Sequence, residues 1–280
     1  MSFNLPKGSW DCHFHIYGPF DRFPLPEDAA YQPEPATFKQ MLELHKSLGI
    51  EHGVFVQAVA YGSDNFIILD AIEQSNFNYR GVALIDHDIK DQQLVELKHG
   101  GICGVRFNMM GHLPGSHDPQ ALRGLVERVA KLGLHIQIHG KIEDIFPAIE
   151  AWKDIDVDIV IDHMARPNLL DSQDAENTFN KLQQVMMNPK HWLKISGIDR
   201  AMNGQPANTW EASLDWVQKL IKLAPNRVVW GTDWPHPNVK GEVPNDHELL
   251  QFALKALDDT PELIQAVFVD NPRNLYFKEN

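Results

Sequence analysis

Eight short apolar stretches, separated by segments of helical periodicity, constrain this 280-residue chain more than any other feature. Residues 9–16, 52–57, 79–85, 102–107, 134–139, 157–163, 191–196 and 227–231 read as strands, rich in Val, Ile, Phe and Trp and too short for helices. Between them, helical patterns run over 36–48, from a cap at Ser63 or Asp64 through Ile72, and over 90–98, 119–132, 143–152, 174–187 and 209–223. Two more, at 248–257 and 261–269, close the chain. Strands alternating with helices without a composition break predict a parallel sheet closed into an α/β barrel, (β/α)8, as a single domain spanning residues 1–280. A doubly wound open sheet would call for a glycine-rich phosphate turn after a strand, and none is present.

Hydrophobic residues make up 43% and charged residues 22%, so the chain can bury a large core. A formal charge of −13 disfavours nucleic acid and anionic membrane surfaces, and an anionic ligand would need local cations. The two cysteines, Cys12 and Cys103, form no CxxC pair, which suits a reducing compartment. No leader pattern opens the sequence and no apolar run reaches the roughly 18 residues of a membrane span. A cytoplasmic protein, monomeric or a small homo-oligomer, is the expectation.

Chemistry-bearing side chains collect where strands end. The stretch Trp230-Gly231-Thr232-Asp233-Trp234-Pro235-His236-Pro237 ends the last strand on a carboxylate, Asp233, hemmed in by aromatic and proline residues that stop both ladder and helix. In Asp11-Cys12-His13-Phe14-His15, simple alternation puts Asp11, His13 and His15 on one face, with the two imidazoles suited to one metal ion or one substrate oxygen. His139 ends the fifth strand and His163 the sixth. Arg106 sits near the end of strand four, and Arg166 and Arg200 follow strands six and seven, with guanidinium forks suited to carboxylates and with Asp162 or Asp199 as ion-pair partners in a structural alternative. His112 and Lys141 are weaker candidates on loops. The irregular, proline-rich segment 17–35 is long enough to be an active-site loop, and it carries Tyr31.

The His-x-His of the first strand, GVRFN after the fourth, IDHMARP on the sixth and WGTDWPHPN on the eighth resemble the amidohydrolase superfamily, and within it the lactonase branch acting on 2-pyrone-4,6-dicarboxylate. The likeness runs from Asp11 to about Tyr276. It implies a barrel hydrolase that opens a small carboxylated lactone. Asp233 would be the general base on water, with His13, His15 and His163 around the carbonyl oxygen. Arg106, Arg200 and Tyr31 would hold carboxylates, with Arg166, His139 and His112 further candidates. Either no cofactor or one divalent metal such as Zn is implied; a bound metal would draw on His13, His15, His139 and Asp233. The chain departs from that branch where a second arginine and a tyrosine are expected, at His112 and His139. Those departures leave open sugar-acid lactone isomerisation of the D-galactarolactone type; decarboxylation with a metal, which other barrels of the superfamily perform with the same ligands, is a further alternative.

Overall fold

The computed structural model describes residues 5–111, 118–239 and 241–277. Eight strands form one parallel sheet in chain order: β1 (Trp10–Phe14), β2 (His52–Val56), β3 (Tyr79–Ala83), β4 (Ile102–Asn108), β5 (His135–His139), β6 (Ile159–Ile161), β7 (His191–Ile195) and β8 (Val228–Trp230). The ring closes just past β8, where the Asp233 amide donates to the His13 carbonyl (2.8 Å) and the His15 amide to the Trp234 carbonyl (2.7 Å). Gly231 permits that approach, since a Cβ there would lie 2.6 Å from both the amide nitrogen and the Cβ of His13. The expected (β/α)8 barrel is the fold.

The surrounding helices are α1 (Phe38–Leu48), α2 (Phe66–Gln74), α3 (Asp91–His99), α4 (Pro119–Lys131), α5 (Ile142–Ala151), α6 (Ser172–Val185), α7 (Ile198–Ala201) and α8 (Leu214–Leu223). They are followed by α9 (Asp246–Ala256), α10 (Pro261–Gln265) and α11 (Asn271–Tyr276). Local signals set several boundaries. A Thr37–Gln40 capping box starts α1 and Gly49, at φ 79°, ends it. The carboxylates of Asp118 and Asp171 cap α4 and α6. The expected helix 209–223 divides into a 3₁₀ stretch over Ala207–Ser213 and then α8. The last expected helix divides too, through a π turn over Ala266–Asp270, just before Pro272, which has no N–H to continue an α-helical ladder.

Outward-facing strand residues such as Ile136, Ile138, Ile159, Ile161, Leu193 and Val228 are buried against the helices, each contributing about 1.5–3 kcal/mol by leaving water. Cys12, Val54, Val56, Val82, Val160 and Val229 form a smaller cluster with Trp10 and Tyr276. One sequence expectation fails here: Asp11 and His13 do not share a face. The β1–β2 register shifts between Asp11 and Phe14, so the strand bulges at Cys12 and His13. Asp11 and Phe14 both turn to His45 on α1, whereas His13 meets Lys194 and Asp162.

The 17–35 loop is closed at its base by paired amide-to-carbonyl bonds between Tyr17 and Ala36, 2.7 and 2.9 Å. Tyr61 pins it, its hydroxyl accepting from the Gly18 amide and donating to the Phe23 carbonyl. An Arg22–Asp70 ion pair holds its flank. Among the described residues, no helix is long and apolar enough to cross a membrane.

Candidate active site

The site is built on β1, the ends of β4 to β7 and the turn after β8. Asp233 adopts φ 66°, a left-handed conformation that points its carboxylate back into the barrel. Its Oδ1 faces three imidazoles: His15 Nε2 at 3.4 Å, His13 Nε2 at 3.6 Å and His163 Nε2 at 3.9 Å. Its Oδ2 accepts from Arg200 Nε (2.8 Å) and lies 2.7 Å from Nη2 of the same guanidinium. Burial alone would raise this carboxyl, but Arg200 and the facing histidines outweigh it and hold Asp233 well below the usual carboxylate range.

His163 does not end β6, as the sequence suggested. β6 stops at Ile161, and His163, Met164, Ala165 and Arg166 follow with φ of 49°, 54°, 60° and 52°. Four successive non-glycine residues in left-handed conformation cost roughly 1–2 kcal/mol each. That strain delivers two functional side chains three residues apart, His163 and Arg166, from a single tight turn. The His163 ring is steadied by Ser196 Oγ at 2.8 Å from Nδ1.

Beneath the imidazoles lies a fully buried charge network. Asp162 Oδ2 accepts from Arg106 Nε (2.8 Å) and Gln137 Nε2 (2.9 Å); its Oδ1 is 3.1 Å from Lys194 Nζ and 3.4 Å from His13 Nδ1. Lys194 also donates to Gln137 Oε1 at 2.9 Å and lies 3.3 Å from His13 Nδ1. Burial opposes ionisation of Asp162, and Lys194 and Arg106 overcome it, leaving the carboxyl well below its ordinary range. His13 is driven from 6.5 to about 4, by burial first and by Lys194 second. Burial likewise pushes His163 and His139 well below 6.5. His13, His139 and His163 thus stand neutral beside the ionised Asp162 and Asp233.

The remaining sequence candidates separate. Arg106 pairs with Asp162, whereas Asp199 hydrogen-bonds neither Arg200 nor any other described side chain. Arg166 Nη1 meets His139 Nε2 at 3.3 Å, and His139 Nδ1 lies 3.0 Å from Asn108 Oδ1. Tyr31 comes in from its loop to pair with the Tyr17 hydroxyl at 2.7 Å. Lys141 is exposed at the start of α5, and His112 lies outside the described residues. Sequence reasoning passed over Lys194, Gln137, Ser196 and Tyr17. A lysine inside the apolar run His191-Trp192-Leu193-Lys194-Ile195 was the available signal, because an ammonium is not buried without a task.

Three side chains, His13, His163 and Asp233, offer ligand atoms within 4.8 Å of one another. His13 Nε2 is buried with no hydrogen-bond partner, and His15, if Nδ1–H donates to the Val56 carbonyl (2.7 Å), also turns a lone pair towards Asp233. Orphaned imidazole nitrogen beside carboxylate oxygen is a donor set that fits a divalent cation. His139 stands apart from that group, engaged by Arg166.

A family described as amidohydrolase matches residues 10–278. A 2-pyrone-4,6-dicarboxylate hydrolase of Comamonas testosteroni is 34% identical, the match covering 99% of this chain and 92% of that one. A 4-sulfomuconolactone hydrolase of Hydrogenophaga intermedia is 33% identical over 99% of this chain and 91% of its own. The crystal structure of a Pseudomonas putida protein, described as a candidate 2-pyrone-4,6-dicarboxylic acid hydrolase, superimposes with a TM-score of 0.84 at 29% identity, covering 99% and 100% of the two chains.

Proposed function

The chain belongs to the amidohydrolase family, and on that premise we propose that it hydrolyses the ring ester of a small lactone bearing at least one carboxylate. The observation that carries this reading is Asp233 Oδ1 facing three imidazoles in a pocket that also holds Arg106, Arg166 and Arg200. A base, an oxyanion site and anion-binding guanidiniums are what opening an anionic cyclic ester requires. The two hydrolases reported above are named for anionic lactones, one a dicarboxylate and one a sulfonate.

In this mechanism the substrate carboxylate lies against Arg166 and the free nitrogens of Arg106, which turns the ring carbonyl towards His13, His15 and His163. Water adds to the carbonyl carbon as its proton passes to Asp233 Oδ1, the oxygen that Arg200 leaves free. The C–O bond to the ring oxygen then breaks, and Asp233 returns the proton to that oxygen. A carboxyl held low is a modest base, yet it gives the proton back readily, so the second step gains what the first loses. A divalent cation held by His13, His163 and Asp233 would supply Lewis-acid charge at the carbonyl oxygen.

The test is turnover on a panel of carboxylated and neutral lactones, with the product weighed. The expected product is a ring-opened acid heavier by one water, and Asp233→Asn should lower kcat by roughly 100-fold or more. An unchanged mass would mean isomerisation, release of carbon dioxide would mean decarboxylation, and an active Asp233→Asn would remove the base from this scheme. Metal analysis of the purified protein, with activity before and after chelation, decides whether the His13–His163–Asp233 group works loaded or empty.

A further inference from the structure

His139 is fixed by neighbours on both sides. β4 and β5 pair in register with Asn108 opposite His139, which brings the Asn108 amide beside the imidazole. Nδ1 then lies 3.0 Å from Asn108 Oδ1, and Nε2 lies 3.3 Å from Arg166 Nη1. A guanidinium only donates, so Nε2 is the acceptor and the ring proton sits on Nδ1, facing the oxygen of Asn108. With both nitrogens engaged, the buried ring has neither a proton nor a lone pair left for a ligand.

Arg166 is in the opposite position. Arg106 is paired with Asp162 and Arg200 with Asp233, but among the described residues no carboxylate lies within ion-pair distance of Arg166. Its backbone is held by the left-handed turn, with its amide donating to the His163 carbonyl at 2.8 Å. Its side chain is held by His139.

We infer that His139 is a positioning residue: a neutral strut between Asn108 and Arg166 that aims a guanidinium without a carboxylate partner among the described residues at an anionic group of the substrate. The inference rests on the carboxylated-substrate reading above, and it assigns His139 neither to the carbonyl oxygen nor to a metal.

Calorimetric titration with isophthalate, a flat dicarboxylate with no ester to cleave, tests it independently of turnover. His139→Leu should weaken isophthalate about tenfold, the value of one charge-assisted hydrogen bond. Arg166→Gln should weaken it at least as much, and the double variant no further than Arg166→Gln alone, because the two residues act as one unit. His139→Gln, which can accept from Arg166 and donate to Asn108, should stay within about threefold of the parent. Absence of isophthalate binding in the parent protein, unchanged binding in His139→Leu, or additive losses in the double variant would each overturn the inference. Nitrogen-15 NMR of the parent, with His139 assigned by difference from His139→Gln, reads the tautomer even if the leucine variant fails to fold. A proton on Nε2 overturns the inference and a proton on Nδ1 supports it. If no lactone is turned over while His139→Leu still loses isophthalate, the lactonase reading falls and the role of His139 stands.

Discussion

Arg200 directs Nε and Nη2 at the same oxygen of Asp233, at 2.8 and 2.7 Å, and leaves the other oxygen to the histidines. The sequence reading gave Arg200 to a substrate carboxylate; in the structure its first partner is the candidate base. The pair keeps Asp233 ionised and fixes which oxygen can take a proton. Nη2 also donates to the Pro237 carbonyl at 2.9 Å, tying the guanidinium to the turn that carries Asp233.

Arg200→Gln should therefore lower kcat as well as raise KM, with kcat/KM falling roughly 10- to 100-fold, the worth of one charge-assisted contact. Steady-state kinetics on a carboxylated and a neutral lactone check this. A pure KM effect, confined to the carboxylated substrate, would return Arg200 to substrate binding alone.

Stability should fall in mild acid. His13 is lowered from 6.5 to about 4, and His139 and His163 are lowered as well, in each case chiefly by burial. Between those pH values the unfolded chain takes up protons that the folded chain refuses, so stability is fully present above pH 6.5 and drains away as pH falls towards 4. For His13 alone the shift corresponds to about 3 kcal/mol. Asp162 and Asp233 are held below 3.8, so their own acid loss comes lower on the scale. Urea midpoints at about pH 7 and pH 4.5, measured with a chelator present, should differ by well over 1 kcal/mol in ΔG. Equal midpoints would mean that the imidazoles are not buried neutral.

Most of the barrel was legible because each strand is an apolar run of its own and the helices between them keep their own periodicity, the first ending at Gly49. The site was legible as a set of residue types: His13, His15, His163, Asp233 and Arg200 do converge. What alternation could not reveal was conformation. The bulge at Cys12 and His13 breaks the period of two, and the left-handed turn at 163–166 ends β6 early, in a stretch of non-glycine residues that carries no local mark of positive φ. The pairing of His139 with Arg166 depends on that turn, and alternation along β5 carries no sign of it.

Ala165 offers a direct test of the strained turn. It is buried at φ 60°, a conformation glycine adopts freely, so Ala165→Gly exchanges about 1–2 kcal/mol of strain for 0.5–1 kcal/mol, roughly, of lost chain stiffness. Thermal unfolding should leave that variant as stable as the parent or slightly more so. Ala148, equally buried but inside α5, is the control: there the same change should cost about 1 kcal/mol. A comparable loss at both positions would mean that the turn is not left-handed in solution.

Lys194 supplies the last prediction. Its ammonium is wholly buried among Asp162 Oδ1, Gln137 Oε1 and His13 Nδ1, at 3.1, 2.9 and 3.3 Å. Burial lowers its affinity for a proton and Asp162 opposes that, so the pair stands or falls together. Lys194→Met fills the same space but leaves Asp162 with Arg106 as its single cation, and should cost about 3 kcal/mol, the low end for breaking a buried pair. In the Asp162→Asn background the same change should cost clearly less, since no buried carboxylate is then stranded. Chemical denaturation of the four proteins closes that cycle. If the two losses simply add, Lys194 serves His13 and Gln137 rather than Asp162, and the floor of the site is organised around the imidazole instead of the carboxylate.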